Sequence, residues 1–169
     1  YKQKYNTVFY GISKLHLLMQ KQHNRGQDGA GIASIKFDTE PGQKYIQRIR
    51  ALGSNSIREI FDQVYEPLKE VDPLIYNNID WLKHNFDYSA ELFLGHLRYG
   101  TFGNNNIDYC HPFIRGNNWK TKNLVLAGNF NMTNVDELFD ILVNIGQHPK
   151  EKSDTVTVLE KIGHYMDEE

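Results

Sequence analysis

The sequence holds a single cysteine, Cys110, so no disulfide can join two parts of it. One thiolate is also too few for a structural zinc site or an iron–sulfur cluster built from this segment alone. The scarcity fits a reducing compartment, and the expected location is cytoplasmic. Long apolar runs are missing, which leaves no stretch able to span a bilayer as a helix, and no secretory signal is visible. A basic tract is missing too. The net charge is −2, so neither nucleic acid nor a membrane surface is an expected partner. There is no internal repeat and no low-complexity linker. What remains is ordinary soluble-domain material: 169 residues, 40% hydrophobic and 24% charged, enough for one sizeable core.

The periodicity alternates. Val8, Phe9, Ile12, Leu15, Leu18 and Met19 recur at helical spacing and predict a helix over about 5–22. Residues 30–37 read as a strand with Ile32 and Ile35 buried, 39–43 as a turn, and 44–50 as a half-exposed hairpin partner. A helix is expected over 54–64, with Ser54 or Ser56 as its cap. Pro67 and Pro73 interrupt the next stretch, and Trp81, Leu82 and Phe86 suggest a short helix. Residues 91–98 and 123–129 begin as buried strands and end polar. Residues 133–146 form a helix capped by Thr133 or Asn134 and closed by Gly146, and 153–166 another, capped by Ser153 or Asp154. Helices at both ends with strands between favour an α/β sandwich over a helical bundle.

The polar strand ends carry the candidate chemistry. In "GHLRYGT", His96 and Arg98 share one side of an extended chain, and the Arg98 fork matches a carboxylate. Read alone, Arg98 is as readily a surface arginine. Asn129 in "AGNFN" is either a turn residue or an amide that donates to a developing oxyanion. Asp154 in "SDT" is a helix cap on local grounds; with an exposed oxygen it also suits a substrate ammonium. Cys110 reads as a small buried thiol.

Four segments in order, "QHNRGQDGAGI" (22–32), "GHLRYGT" (95–101), "LAGNFNMTN" (126–134) and "SDT" (153–155), resemble the motifs of class II glutamine amidotransferases. These are N-terminal-nucleophile hydrolases, and the likeness is nearest to the glutaminase domain of amidophosphoribosyltransferase. The resemblance implies an α+β fold, an αββα sandwich of two antiparallel sheets between helical layers, over residues 1–169. It implies that Arg98 binds the α-carboxylate of glutamine, Asp154 its α-ammonium, and that Asn129 and the backbone N–H of Phe130 form the oxyanion hole. Thr101 would line the pocket, with Arg25 and Tyr99 in support; Arg25 and its neighbours would be a buried prop. No cofactor and no metal are implied. The implied partners are glutamine, a phosphoribosyltransferase domain outside this chain that uses the ammonia in purine biosynthesis, and a second copy in a homo-oligomer.

The sequence departs from that pattern in four places. The family's nucleophile is an N-terminal cysteine whose α-amine acts as base, whereas this sequence begins Tyr1-Lys2-Gln3-Lys4. The nucleophile strand and the C-terminal continuation are expected to lie outside these residues, and the residues as given are expected to be inactive. Phe130 stands where the family has glycine, Val156 where it has an acidic residue, and Asn24 is an extra residue in the first motif. A catalytically degenerate relative, acting as a binding or regulatory module, is the alternative expectation.

Overall fold

The computed structural model describes residues 2–100 and 106–168, which fall into two compact units, Tyr1–His111 and Pro112–Glu169. In the first, the run Gly29-Ala30-Gly31-Ile32-Ala33 forms the central strand β1 (Gly29–Ile35). It pairs antiparallel with β2 (Ile46–Leu52) on one edge and β3 (Leu92–Arg98) on the other. The register sets His96 and Arg50 opposite Gly31, and Arg98 and Leu52 opposite Gly29. Because side chains alternate, one face carries Ala30, Ile32, Ile49, Ala51, Phe93 and Leu97. Helices α2 (Tyr10–Lys21) and α3 (Ser56–Tyr65) pack against the sheet. Their Ile12, Met19, Ile57, Ile60, Phe61 and Val64 join Leu68, Leu82 and Phe86 in the core. The other face carries Arg48, Arg50, Leu94, His96 and Arg98 around the small residues of β1.

The continuous helix expected over 5–22 is broken. A short α1 (Lys2–Tyr5) stops at Asn6, whose φ is 55°, a left-handed turn that asparagine tolerates. The N–H of Phe9 then bonds Thr7 Oγ1 at 3.1 Å before α2 starts. At α3 the cap position is Asn55, with no side-chain cap bond, and not Ser54 or Ser56; Ser56 is the first helical residue and is buried. The expected short helix is α4 (Ile79–Asn85), capped by Asn78 Oδ1, which accepts the Trp81 N–H at 2.9 Å.

The second unit holds a two-stranded antiparallel sheet, β4 (Phe113–Arg115) with β5 (Leu124–Leu126), and the helices α5 (Val135–Asn144) and α6 (Asp154–Glu168). β5 is shorter than expected because its partner offers only three residues. The cap position of α5 is Asn134, without a side-chain bond. Its end is a Schellman turn: Gly146 takes φ 85°, its N–H bonds Val143 O at 3.0 Å, and Gln147 N–H bonds Leu142 O at 2.9 Å. Arg115 fastens β4 to α6. Its Nε donates to Glu160 at 2.9 Å and its Nη2 to Asp167 at 2.6 Å. Gly163 makes room for it, since a Cβ there would lie 2.2 Å from Arg115 Nε. The molecule is thus of the α+β class with two antiparallel sheets. Among the described residues no helix is long and apolar enough to cross a membrane.

Candidate functional site

The polar stretch before β1 is built onto the end of β3. Gly26 is buried, and a Cβ on it would lie 2.8 Å from both the carbonyl oxygen of Arg98 and the carbonyl carbon of Leu97. Its φ of −169° is open to any residue, so space and not backbone freedom demands glycine. Asp28 closes the junction from both sides. Its N–H donates to Arg98 O at 3.1 Å, and its Oδ2 accepts the Gly100 N–H at 2.7 Å. The first motif therefore fixes the strand end that carries Arg98. Arg25 has a different place from the buried prop expected of it: it ends a short 3-10 turn (His23–Arg25) and is exposed, and the prop is Gly26 with Asp28.

Arg98 is the last residue of β3 and is 6% exposed. Its Nη1 donates to Asn106 O at 3.4 Å. Tyr99, one residue on, is 68% exposed. Thr101 lies outside the described residues. Cys110 is sealed on the same sheet: its thiol donates to Ala30 O at 3.3 Å and Ala51 O at 3.8 Å. Burial pushes the thiol up from its ordinary range, against the pull of Arg50, Arg98 and Arg48. A buried thiol that holds its proton is a poor nucleophile. Among the described residues no group of three or more His, Cys, Asp or Glu side chains could hold a metal ion.

In the second unit the chain leaves β5 through Gly128, Asn129 and Phe130 and meets the start of α6. Ser153 Oγ accepts the Val156 N–H at 3.4 Å and so takes the cap position. That releases the Asp154 carboxylate from capping, and its Oδ2 accepts the Met132 N–H at 3.0 Å instead. The third and fourth motifs are thereby tied together. Asn129 is exposed and Phe130 is 38% exposed. The Phe130 ring lies over Gly128, where a Cβ would come within 2.5 Å of its Cζ. The non-glycine residue with positive φ among those described is Asn6, so the Phe130 N–H rides on backbone that any residue adopts. Val156 is buried in α6, a place an apolar side chain suits.

Apart from Cys110, the segment 106–111 holds nothing that the sequence singles out. It bonds to Arg98 through Asn106 and to Arg50 through the carbonyls of Asp108 and Cys110 at 3.5 and 2.9 Å. His111 Nδ1 lies 3.2 Å from His96 Nε2. No spacing in the sequence announces the pairing of residues 96 and 111. Asp28 was legible only as an aspartate among glycines.

No family model matches the chain. It is 28% identical over 153 residues to an amidophosphoribosyltransferase of Archaeoglobus fulgidus, an alignment that covers 90% of this chain and 26% of that protein. It is 26% identical over 147 residues to amidophosphoribosyltransferase 2, chloroplastic, of Arabidopsis thaliana, covering 87% of this chain and 21% of the relative. Amidophosphoribosyltransferase 1, chloroplastic, of the same plant matches to the same extent. The chain thus spans only about a quarter or less of the length of these curated relatives. Over most of its own length it is related to the amidophosphoribosyltransferases, through an amidotransferase-type domain.

Proposed function

We propose that this chain is a glutaminase domain, which releases ammonia from glutamine for a phosphoribosyltransferase domain that makes phosphoribosylamine in purine biosynthesis. The observation that carries the reading is the Asp154–Met132 bond. A helix-start aspartate that gives up capping and sits beside the Asn129 loop has one oxygen left for a substrate ammonium. The docking of Gly26 and Asp28 on the Arg98 carbonyl supports it from the other motif pair.

In this reading Arg98 pairs with the α-carboxylate of glutamine and Asp154 with its α-ammonium, so the side-chain amide is held in one place. A cysteine thiolate outside these residues attacks the amide carbon. The tetrahedral oxyanion is met by the Asn129 side-chain amide and the Phe130 N–H. Collapse breaks the C–N bond, ammonia leaves with a proton, and water hydrolyses the thioester to glutamate. Cys110 takes no part. The full-length protein is expected to release one ammonia and one glutamate per glutamine, with a thioester on its N-terminal cysteine detectable by mass. Ammonia-dependent synthesis without any glutamine hydrolysis would favour the second reading, a degenerate regulatory module, for which the Phe130 ring folded over Gly128 is the supporting observation.

A further inference from the structure

The face of the first sheet that carries Arg98 is crossed by residues 106–111. Polar contacts join the sheet and this segment: Arg98 to Asn106 O, Arg50 to Asp108 O and Cys110 O, the Cys110 thiol to Ala30 O and Ala51 O, and the two imidazoles to each other. The arginines grip carbonyl oxygens and keep their charge at any working pH. The imidazole contact differs, because the accepting ring nitrogen has a lone pair to offer only while its own ring is neutral.

We propose that His96 and His111 form a neutral imidazole latch that fastens residues 106–111 to β3 and so positions Arg98, and that acid opens it. The rings lie 4.4 Å apart between centroids and tilted by 59°. His96 Nδ1 is buried with no partner. The tautomer that protonates Nε2 leaves only a lone pair unmet there, so His96 donates and His111 Nδ1 accepts. A second proton would remove that acceptor and place a cation among cations. The face of the sheet that holds His96 also carries Arg48 and Arg50 from β2 and Arg98 from β3, and the segment itself contributes Asp108 and Cys110. Burial, then His96, Arg98 and Arg50, push His111 down to about 4, and burial lowers His96 as well.

The sign follows. An opened segment returns His111 toward its ordinary 6.5, so opening takes up a proton and grows as pH falls from 6.5 toward about 4. For one proton the open fraction rises roughly 25-fold between about pH 7.5 and pH 5. Cys110 is 0% exposed and reports opening, since a reagent reaches it only when the segment lifts.

The experiment is labelling of Cys110 in the full-length protein by 4,4′-dithiodipyridine, a disulfide that reacts with thiols in mild acid, with rates referred to a short cysteine peptide. Any other cysteine is resolved by peptide mapping. Wild-type labelling is expected to accelerate by that factor toward pH 5. His111→Asn keeps an acceptor near Nδ1 and cannot titrate. It should label as slowly as wild type at pH 7.5 and lose most of the acid acceleration. His111→Leu should label at least tenfold faster at pH 7.5 with the thermal midpoint of the sheet unit little changed. Wild-type rates in the leucine variant, or full acid acceleration in the asparagine variant, overturn the latch. If the leucine variant does not fold, the wild-type and asparagine pH profiles decide alone. The claim that the latch positions Arg98 rests on the glutaminase reading. Its readout is a higher KM for glutamine in His111→Leu with ammonia-dependent turnover unchanged; an unchanged KM sinks that part. A wild type that hydrolyses no glutamine sinks the glutaminase reading and leaves the labelling result to judge the latch.

Discussion

Gly26→Ala tests whether the first motif is a spacer for the Arg98 strand end. The new Cβ would sit 2.8 Å from Arg98 O and Leu97 C and 2.9 Å from Arg98 C. Comfortable contact begins near 3.5 Å, so backbone must retreat by about 0.7 Å, and no flexible side chain can absorb it. Overpacking of this kind costs about 1–3 kcal/mol. Against it stands a gain of about 0.4–1 kcal/mol from the stiffer unfolded chain, available because φ is −169°. The clash wins, for a net loss of about 1–2 kcal/mol and a fall in Tm of roughly 2–8 °C. Gly116→Ala is the control: its nearest neighbour is Asn123 Oδ1 at 4.0 Å, and it should change stability by less than about 0.5 kcal/mol. Thermal melts read the difference. Amide exchange at Asp28, whose N–H bonds Arg98 O, should speed up in Gly26→Ala alone. Equal melts for the two variants would refute the argument that this junction is packed backbone on backbone.

Three further outcomes are expected. Gly163→Ala should destabilise the second unit despite a helix-propensity gain of about 1 kcal/mol, because the new Cβ displaces Arg115 from Glu160 and Asp167; a more stable α6 by hydrogen exchange would contradict this. His16 stacks on Phe61 and its Nε2 is buried without a partner; burial lowers it from 6.5 against the pull of Asp62. Its contribution is complete above pH 6.5 and is lost as pH falls below it, so urea midpoints should drop from pH 7.5 to 5 in wild type and less in His16→Phe. Asp154→Asn retains an acceptor for Met132 N–H and loses the charge, so the melt should hold while KM for glutamine rises by about 10- to 100-fold, the worth of a charged hydrogen bond of roughly 1.5–3 kcal/mol; a normal KM would remove Asp154 from the site.

The sequence shows most of the fold because its periods are clean. The hairpin of β1 and β2 and the strand β3 lie within two residues of where alternation puts them at every end, since Ile32, Ile49 and Leu97 have one buried face to satisfy. The break at Asn6 was hidden because apolar spacing runs on through Val8 and Phe9 while a single left-handed residue redirects the chain. β4 was hidden because three residues carry no period. Asn129, Phe130 and Asp154 were legible as a motif, but the exchange of caps between Ser153 and Asp154 is a matter of 3 Å contacts that spacing does not encode. The His96–His111 pairing depends on where the chain re-enters the sheet after residue 106, a tertiary fact with no local signature.

The measurement that bears most directly on the central claim compares glutamine-dependent with ammonia-dependent synthesis in the full-length protein and its Arg98→Ala variant. Arg98 holds only the α-carboxylate in this account, and ammonia has none. The loss of a buried charge-assisted contact of roughly 1.5–3 kcal/mol should lower kcat/KM for glutamine by about 10- to 100-fold and leave ammonia-dependent turnover intact. An equal fall in both activities, or no fall in either, would contradict the assignment of Arg98 to a glutamine site.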